Sequence, residues 1–362
     1  MTEFRHDDRS GPFTHAPNRV RDTMRAVMLA LLPATLLDVW LFGWPALYLF
    51  ALTVGGCLAV EAACLKAQGK PVGYTLRDGS AALTGWLLAM SLPPWAPWWI
   101  GVLGAVFAIA LAKHLFGGLG QNVFNPAMVA RVALLISFPV PMTAFVPPRP
   151  LGSESAPGWF DSLSITFGHA FQLDGMSAAS ALGTIKTELS RGIPVSQSMA
   201  ETPDIWHMLI GARPGSFGET SALLILLGGL WLLRKKVITW QTPVAVMGTL
   251  FVFGTLFHGL NPERFTDGLF QVVSGATFLG AFFIATDYVT SPVSRSGQLV
   301  YGVGVGTFTW IIRTFAGYPE GMAFAVLLMN ALTPLIDRAC RPRTFGRTRS
   351  GAPLPLPSRK KA

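Results

Sequence analysis

The chain has 362 residues, of which 51% are hydrophobic and 13% charged, with a formal net charge of +9. Soluble domains carry roughly 25% charged residues, so this composition excludes an ordinary water-soluble enzyme and points to a membrane. The positive charge does not signal nucleic acid: the basic residues lie at the ends of apolar runs and in the tail, where they encode membrane orientation.

Residues 1–23 form a charged arm, too long and too acidic for a signal peptide and followed by no small-residue cleavage site. The first apolar run is therefore expected to be a retained span. About ten hydrophobic segments follow, at 24–43, 46–65, 80–92, 97–117, 123–140, 220–234, 240–258, 270–286, 297–315 and 320–336, several near the ~20 residues a spanning helix needs. Continuous apolar runs do not fit the alternation of an outer-membrane barrel, so the spans are expected to be helices. The segments at 80–92 and 270–286 are short or interrupted by glycine and read as half-helices or tilted pieces buried in protein. The fold class expected is an all-α polytopic membrane protein of about ten transmembrane helices in two inverted five-helix repeats, with a long extracytoplasmic loop. Its parts are an N-terminal arm at 1–23, a first membrane repeat at 24–140, an outer loop at 141–219, a second membrane repeat at 220–337 and a basic tail at 338–362.

Lysine and arginine give the orientation. Arg5, Arg9, Arg19, Arg21 and Arg25 precede the first segment; Lys66, Lys70 and Arg77 follow the second; Arg234, Lys235 and Lys236 follow the sixth; Arg295 follows the eighth; Arg338, Arg341, Arg343, Arg347 and Arg349 lie in the tail. The opposite links, Phe42–Trp44 and Pro93–Trp98, are uncharged. The positive-inside rule then puts both termini in the cytoplasm and the 141–219 loop outside. The halves also echo each other. Gly85, Lys113, Gly117 and Pro126-Ala-Met128 have counterparts in Gly280, Arg313, Gly317 and Gly321-Met-Ala323, although aligning them needs a gap.

Three longer runs carry a resemblance: Gly117-Gly-Leu-Gly-Gln-Asn-Val-Phe-Asn-Pro-Ala-Met128, Ser274-Gly-Ala-Thr-Phe-Leu-Gly-Ala-Phe-Phe-Ile-Ala-Thr-Asp287 and Gly317-Tyr-Pro-Glu-Gly-Met-Ala-Phe-Ala-Val-Leu-Leu-Met-Asn330. With them the chain resembles the family of D-type components of Rnf electron-transport complexes. It is related more distantly to the B-type components of the sodium-pumping NADH:quinone reductase. The similarity runs from Ser10-Gly-Pro-Phe-Thr-His to Arg341-Pro-Arg-Thr-Phe-Gly. It implies a subunit of a six-part inner-membrane complex, with partners A, B, C, E and G. Such a complex moves electrons between NADH and ferredoxin and couples them to Na+ or H+ translocation.

The resemblance also implies a cofactor. In the family FMN is esterified to a threonine that closes a D-G-x-S-x-A-T stretch. Here Asp174, Gly175, Ser177 and Ala179 match, and Ser180 stands where the family has threonine. Serine offers the same hydroxyl without the methyl. Gly175 permits a turn that presents it, and the small Ala178 and Ala179 leave room for the flavin transferase. Thr184 is the nearest substitute acceptor. Without the resemblance, a Ser- and Ala-rich loop with no function is the simpler reading of this stretch. Ser274-Gly-Ala-Thr277 looks like a second attachment signal, but Thr277 lies inside an apolar segment and reads as part of a small-residue face that lets either helices or a flavin ring come close.

Gly215-Ser-Phe-Gly-Glu-Thr-Ser221 opens the sixth segment. Either Ser216 or Thr220 caps that helix, with Glu219 favoured in its first turn, or the backbone of Gly218, Glu219 and Thr220 faces the flavin. Asn122 and Asn125 either hold a flavin carbonyl or tie down a Gly-rich turn; a second, non-covalent flavin held between subunits stays open. Asp78 and Asp287 stand at the inner ends of segments and are candidates for an ion path. Lys113 and Arg313 end spans and are expected to snorkel as anchors. His114, His207 and His258 have no partner at ligand spacing, and Cys57, Cys64 and Cys340 lack metal-ligand spacing. Trp95, Trp98 and Trp99 look like an aromatic belt. Two rival readings stay open: a solute channel or transporter with no redox role, and a scaffold whose flavin site has decayed.

Overall fold

The computed structural model describes residues 19–168, 180–201, 205–211, 213–220, 222–318, 320–341 and 346. Every regular element among them is helical, a lone bridge residue at Phe145 apart. Helices α1 (Val20–Phe42) and α2 (Trp44–Ala67) are joined by Gly43 alone. The turn needs a positive φ of 77°, which glycine adopts freely. The Gly43 N–H closes α1 by donating to Val39 O at 2.9 Å. Pro45 then starts α2 at a position where a missing N–H costs nothing.

Helix α3 (Ser80–Ser91) has 12 residues, about 18 Å at 1.5 Å per residue, well short of a ~30 Å hydrocarbon core. Helix α4 (Trp98–Phe116) follows, its middle wound as a π-helix over Val106–Leu111. Then comes α5 (Pro126–Ser137), capped by Asn125, whose Oδ1 accepts from the N–H groups of Ala127 (3.1 Å) and Met128 (3.2 Å). Helix α6 (Ala181–Ser190) lies between the halves. The second half holds α7 (Ala222–Arg234), α8 (Gln241–Leu260), α9 (Gly268–Val273), α10 (Thr277–Leu279, continued as a π-helix over Gly280–Ile284), α11 (Arg295–Phe315) and α12 (Met322–Ala339). Segment 80–92 is thus a short helix, and 270–286 is broken between Val273 and Thr277.

Among the described residues five helices are long and apolar enough to cross a membrane: α1, α2, α4, α8 and α12. Helices α3, α5 and α7 are apolar but shorter. Large apolar side chains point outward along the long ones, including Leu29, Leu36 and Trp40 on α1 and Val244, Phe251, Val252 and Leu256 on α8. Faces of this kind suit lipid rather than water. The 141–219 stretch is not a plain loop: besides α6 it holds Trp159–Phe167, Val195–Glu201, Ile205–Ile210 and Phe217–Thr220 as short helices. The reason is local amphipathicity. Leu182 and Ile185 of α6 share one face and pack with Val195, Met208, Phe270 and Val273 into a separate small core.

Within the first half α2 packs on α3 and α4; within the second, α8 packs on α9 and α11. Glycines allow both approaches. A methyl group on Gly85 of α3 would lie 2.8 Å from Val54 Cα of α2, and one on Gly254 of α8 would lie 2.6 Å from Gly268 Cα of α9. The halves meet where α1 lies on α7 and α5 on α12. At the first junction a methyl on Gly228 would collide with the carbonyl oxygen of Ala30. Gly228→Val is therefore expected to destabilise the purified chain by about 1–3 kcal/mol through overpacking, read as a lower thermal midpoint in detergent. Gly248→Ala is the control: nothing lies within 4 Å of that position, and alanine gains about 1 kcal/mol in helix propensity.

The tryptophan cluster differs from an aromatic belt. Trp98 is exposed, but Trp95 is buried, with its Nε1 donating to Phe42 O at 2.8 Å and the Arg149 guanidinium 5.6 Å from its ring. Trp99 packs edge-on against Phe138. Two of the three rings therefore serve packing.

Candidate functional site

Asp174, Gly175 and Ser177 lie outside the described residues. Ser180 is described, and it begins a helix rather than sitting in an open loop. It is the N-cap of α6, its Oγ accepts from the Gly183 N–H at 3.3 Å, and it is 3% exposed. Thr184 follows one turn later, half-buried, with its N–H donating to Ser180 O at 2.8 Å. The first N–H groups of a helix lack intrahelical acceptors and attract anions. A phosphoester on Ser180 Oγ would keep its phosphate at that end of a ten-residue helix. The donor chemistry therefore fits a phosphate.

Along α6 lies a cavity lined by Leu182, Ile185 and Lys186 from α6 and by Phe265, Gln271, Trp310 and Arg313 from the second half. Lys186 Nζ donates to Arg313 O (3.0 Å) and Tyr318 O (2.9 Å), and burial lowers its pKa. Arg313 does not snorkel. It is 6% exposed and donates to Gln271 O (2.8 Å), Ser274 O (3.2 Å) and Thr277 Oγ1 (2.9 Å). The carbonyls freed by the break before α10 draw the guanidinium inward. Thr277 is buried, and its hydroxyl donates to Ser274 O at 2.9 Å.

The Phe217–Thr220 helix is buried throughout. Ser216 Oγ donates to Glu219 Oε1 at 2.7 Å, and Thr220 Oγ1 lies 2.5 Å from Asp38 Oδ1 and 3.0 Å from Phe217 O. Both hydroxyls are donors here. A methyl on Gly218 would meet Leu279 of α10 and lie 3.0 Å from Met90 O of α3. Gly218 is thus a point of close helix approach. Arg213 Nη2 donates to Glu219 O (3.0 Å) and Val273 O (3.3 Å). Burial first, and then the charge of nearby Glu320, raise the Glu219 carboxyl well above the usual carboxylate range.

A second cavity brings together residues far apart in sequence: Asn122 and Asn125 before α5, Ser80 of α3, Lys113 of α4 and Asp287 after α10. Its walls include Leu83, Leu87, Phe282 and Phe283. Asn122 Nδ2 donates to Phe124 O at 3.1 Å. Asn125 Nδ2 lies 3.5 Å from Asp287 Oδ2, which also accepts from Thr290 Oγ1 at 3.1 Å. Asp287 is therefore a member of this cavity. Asp78 is not: its Oδ1 accepts from the Ser80 N–H at 2.7 Å, at the start of α3.

Two polar clusters escape a reading by sequence neighbourhood. Lys113 is 2% exposed, with its Nζ 2.9 Å from both carboxylate oxygens of Glu61 and 2.8 Å from Ser80 Oγ. It is a buried ion pair, not an interfacial anchor. His114 Nε2 lies 3.1 Å from the same Glu61, and Gln68 Nε2 lies 3.1 Å from His114 Nδ1. The available signal is the single carboxylate in the apolar run of α2, which needs a buried cation. The other cluster joins Arg131 of α5 to Glu320 at 3.0 Å, beside Glu219.

The family model described as the NQR2, RnfD, RnfE family matches residues 8–346. A protein of Halorhodospira halophila, named as the D component of an ion-translocating oxidoreductase complex, is 52% identical, covering 95% of this chain and 97% of that relative. One of the same name from Stutzerimonas stutzeri is 53% identical over 91% of this chain and 93% of its own length. A third, from Rhodobacter capsulatus, is 49% identical over 84% of each. With matches of this extent, the chain belongs to the NQR2, RnfD, RnfE family.

Proposed function

We propose that this chain is a flavin-bearing membrane component of an Rnf-type complex, which couples electron transfer between NADH and ferredoxin to Na+ or H+ translocation. FMN is esterified to Ser180 on the outer side. The observation that carries this is the place of Ser180 at the anion-favouring end of α6. Lys186 and Arg313 stand along the adjoining cavity, and Trp310 and Phe265 give it flat apolar walls. When bound, the flavin supplies the redox chemistry. The chain's own share is to hold the phosphate at the helix end, orient the ring and limit water around it. Attachment requires Ser180 Oγ to give up the Gly183 N–H and the covered site to open to the flavin transferase.

The same reading gives about ten crossings in two inverted halves. Both termini are cytoplasmic, in the inner membrane among lipids, and the partners are the A, B, C, E and G components of the complex. The like packing of α2 on α3 and α4, and of α8 on α9 and α11, supports it. The inner cavity is walled by apolar side chains with a few polar groups among them, as small-molecule sites are. Its convergent Asn122 and Asn125 support a second, non-covalent flavin there, with Asp287 as an ion-path residue beside it.

Coexpression with the flavin transferase, followed by denaturing electrophoresis, tests this reading against a solute transporter without cofactor. Yellow in-gel fluorescence on this chain's band is the expected result. A dark band from a competent maturation system would overturn it.

A further inference from the structure

The Glu219 and Glu320 carboxyls lie within hydrogen-bonding reach of each other. Glu219 lies just before the second half and Glu320 just before its last helix, and Arg131 of the first half reaches Glu320 Oε2 at 3.0 Å. That leaves Glu320 Oε1 buried and without a donor among the described residues. Glu219 Oε1 is occupied by the Ser216 hydroxyl at 2.7 Å. Two ionised carboxylates in this position would repel each other and leave Oε1 bare. A buried, unsatisfied charged oxygen is costly. One proton resolves both problems.

The surrounding charges do not remove the need for it. Arg213 spends Nη2 on the carbonyls of Glu219 and Val273. Arg313 spends its terminal nitrogens on Gln271, Ser274 and Thr277. Asp38 of α1 faces Thr220, the next residue after Glu219. Among the described residues only Arg131 makes an ion pair with either carboxyl.

We propose that Glu219 and Glu320 form a proton-binding site at the junction of the two membrane halves, holding one proton between their carboxyl groups. The proton is carried on Glu219 and donated to Glu320 Oε1. Its release to water leaves two adjacent carboxylates, and its return restores the bond, so the pair binds and releases a single proton with no other reactant. The site stands apart from flavin attachment, and a colourless chain would still contain it.

Infrared spectroscopy of the full-length chain in its purified complex tests the proposal. At neutral pH, a C=O stretch of a protonated carboxyl is expected above the amide bands. It should shift in D2O and shift again when glutamate is labelled with 13C at its side-chain carboxyl. Glu219→Gln preserves shape and can donate its amide to Glu320, and it should abolish that band. Absence of any 13C-sensitive band in the unsubstituted chain would overturn the proposal without recourse to a variant. A band that survives Glu219→Gln would do the same. A second readout is thermal unfolding against pH. The raised Glu219 carboxyl keeps its proton in the folded chain after an unfolded glutamate has lost it. Its stabilisation is therefore complete below the ordinary glutamate range and lost as pH rises through the folded value. The native chain should lose thermal stability over that interval, and Glu219→Gln should flatten the loss; parallel curves would contradict the site.

Discussion

Ser180→Ala, expressed with the flavin transferase, is expected to lose all covalent flavin, whereas Ser180→Thr keeps it. The alanine removes the only side-chain oxygen at the N-cap of α6. As a helix cap that oxygen contributes about 1 kcal/mol, too little to unfold a chain whose core is built mainly from the membrane helices. A folded but dark protein would thus report lost attachment rather than lost structure. The threonine variant restores the hydroxyl and adds one methyl. Full fluorescence in Ser180→Ala would move the acceptor elsewhere, with Thr184 next along the helix, and would leave family membership untouched. The check is in-gel fluorescence normalised to protein.

Lys113→Met should destabilise the chain by about 3–5 kcal/mol, because it strands a buried carboxylate. Glu61 is 2% exposed and receives both of its lysine contacts at 2.9 Å. Methionine fills similar space and supplies no charge. Ser80 also loses its partner at 2.8 Å. The double variant Lys113→Met/Glu61→Leu removes both charges and should recover most of the loss, since a well-packed apolar pair often matches a buried ion pair. Thermal midpoints in detergent, with the double variant in the same series, check this. Equal stability of native chain and single variant would mean that Glu61 is hydrated rather than sealed.

Continuous apolar runs near spanning length made the long helices legible. The uncharged link Phe42–Trp44 fell at the turn between α1 and α2, and the glycines of 270–286 marked a broken element. What stayed hidden was pairing at a distance. Lys113 and Arg313 look like anchors when each is read at the end of its own run. Burial came from partners elsewhere: Glu61 for one, the carbonyls around Ser274 for the other. Glu219 looked like a first-turn acid favoured by a helix dipole, and nothing near it in sequence announces Glu320 or Arg131. The capping role of Ser180 was hidden for a different reason. A serine after a small-residue run suits a helix cap and a phosphoester equally well, because both uses exploit the same oxygen and the same unpaired N–H groups.

The proposed function stands or falls on the chemistry at that oxygen. Mass spectrometry of the proteolytic peptide containing Ser180, taken from chain matured with a competent flavin transferase, addresses it directly. The peptide is expected to carry the mass of FMN less one water, with fragment ions assigning the increment to Ser180. A bare peptide recovered in full yield would contradict the account.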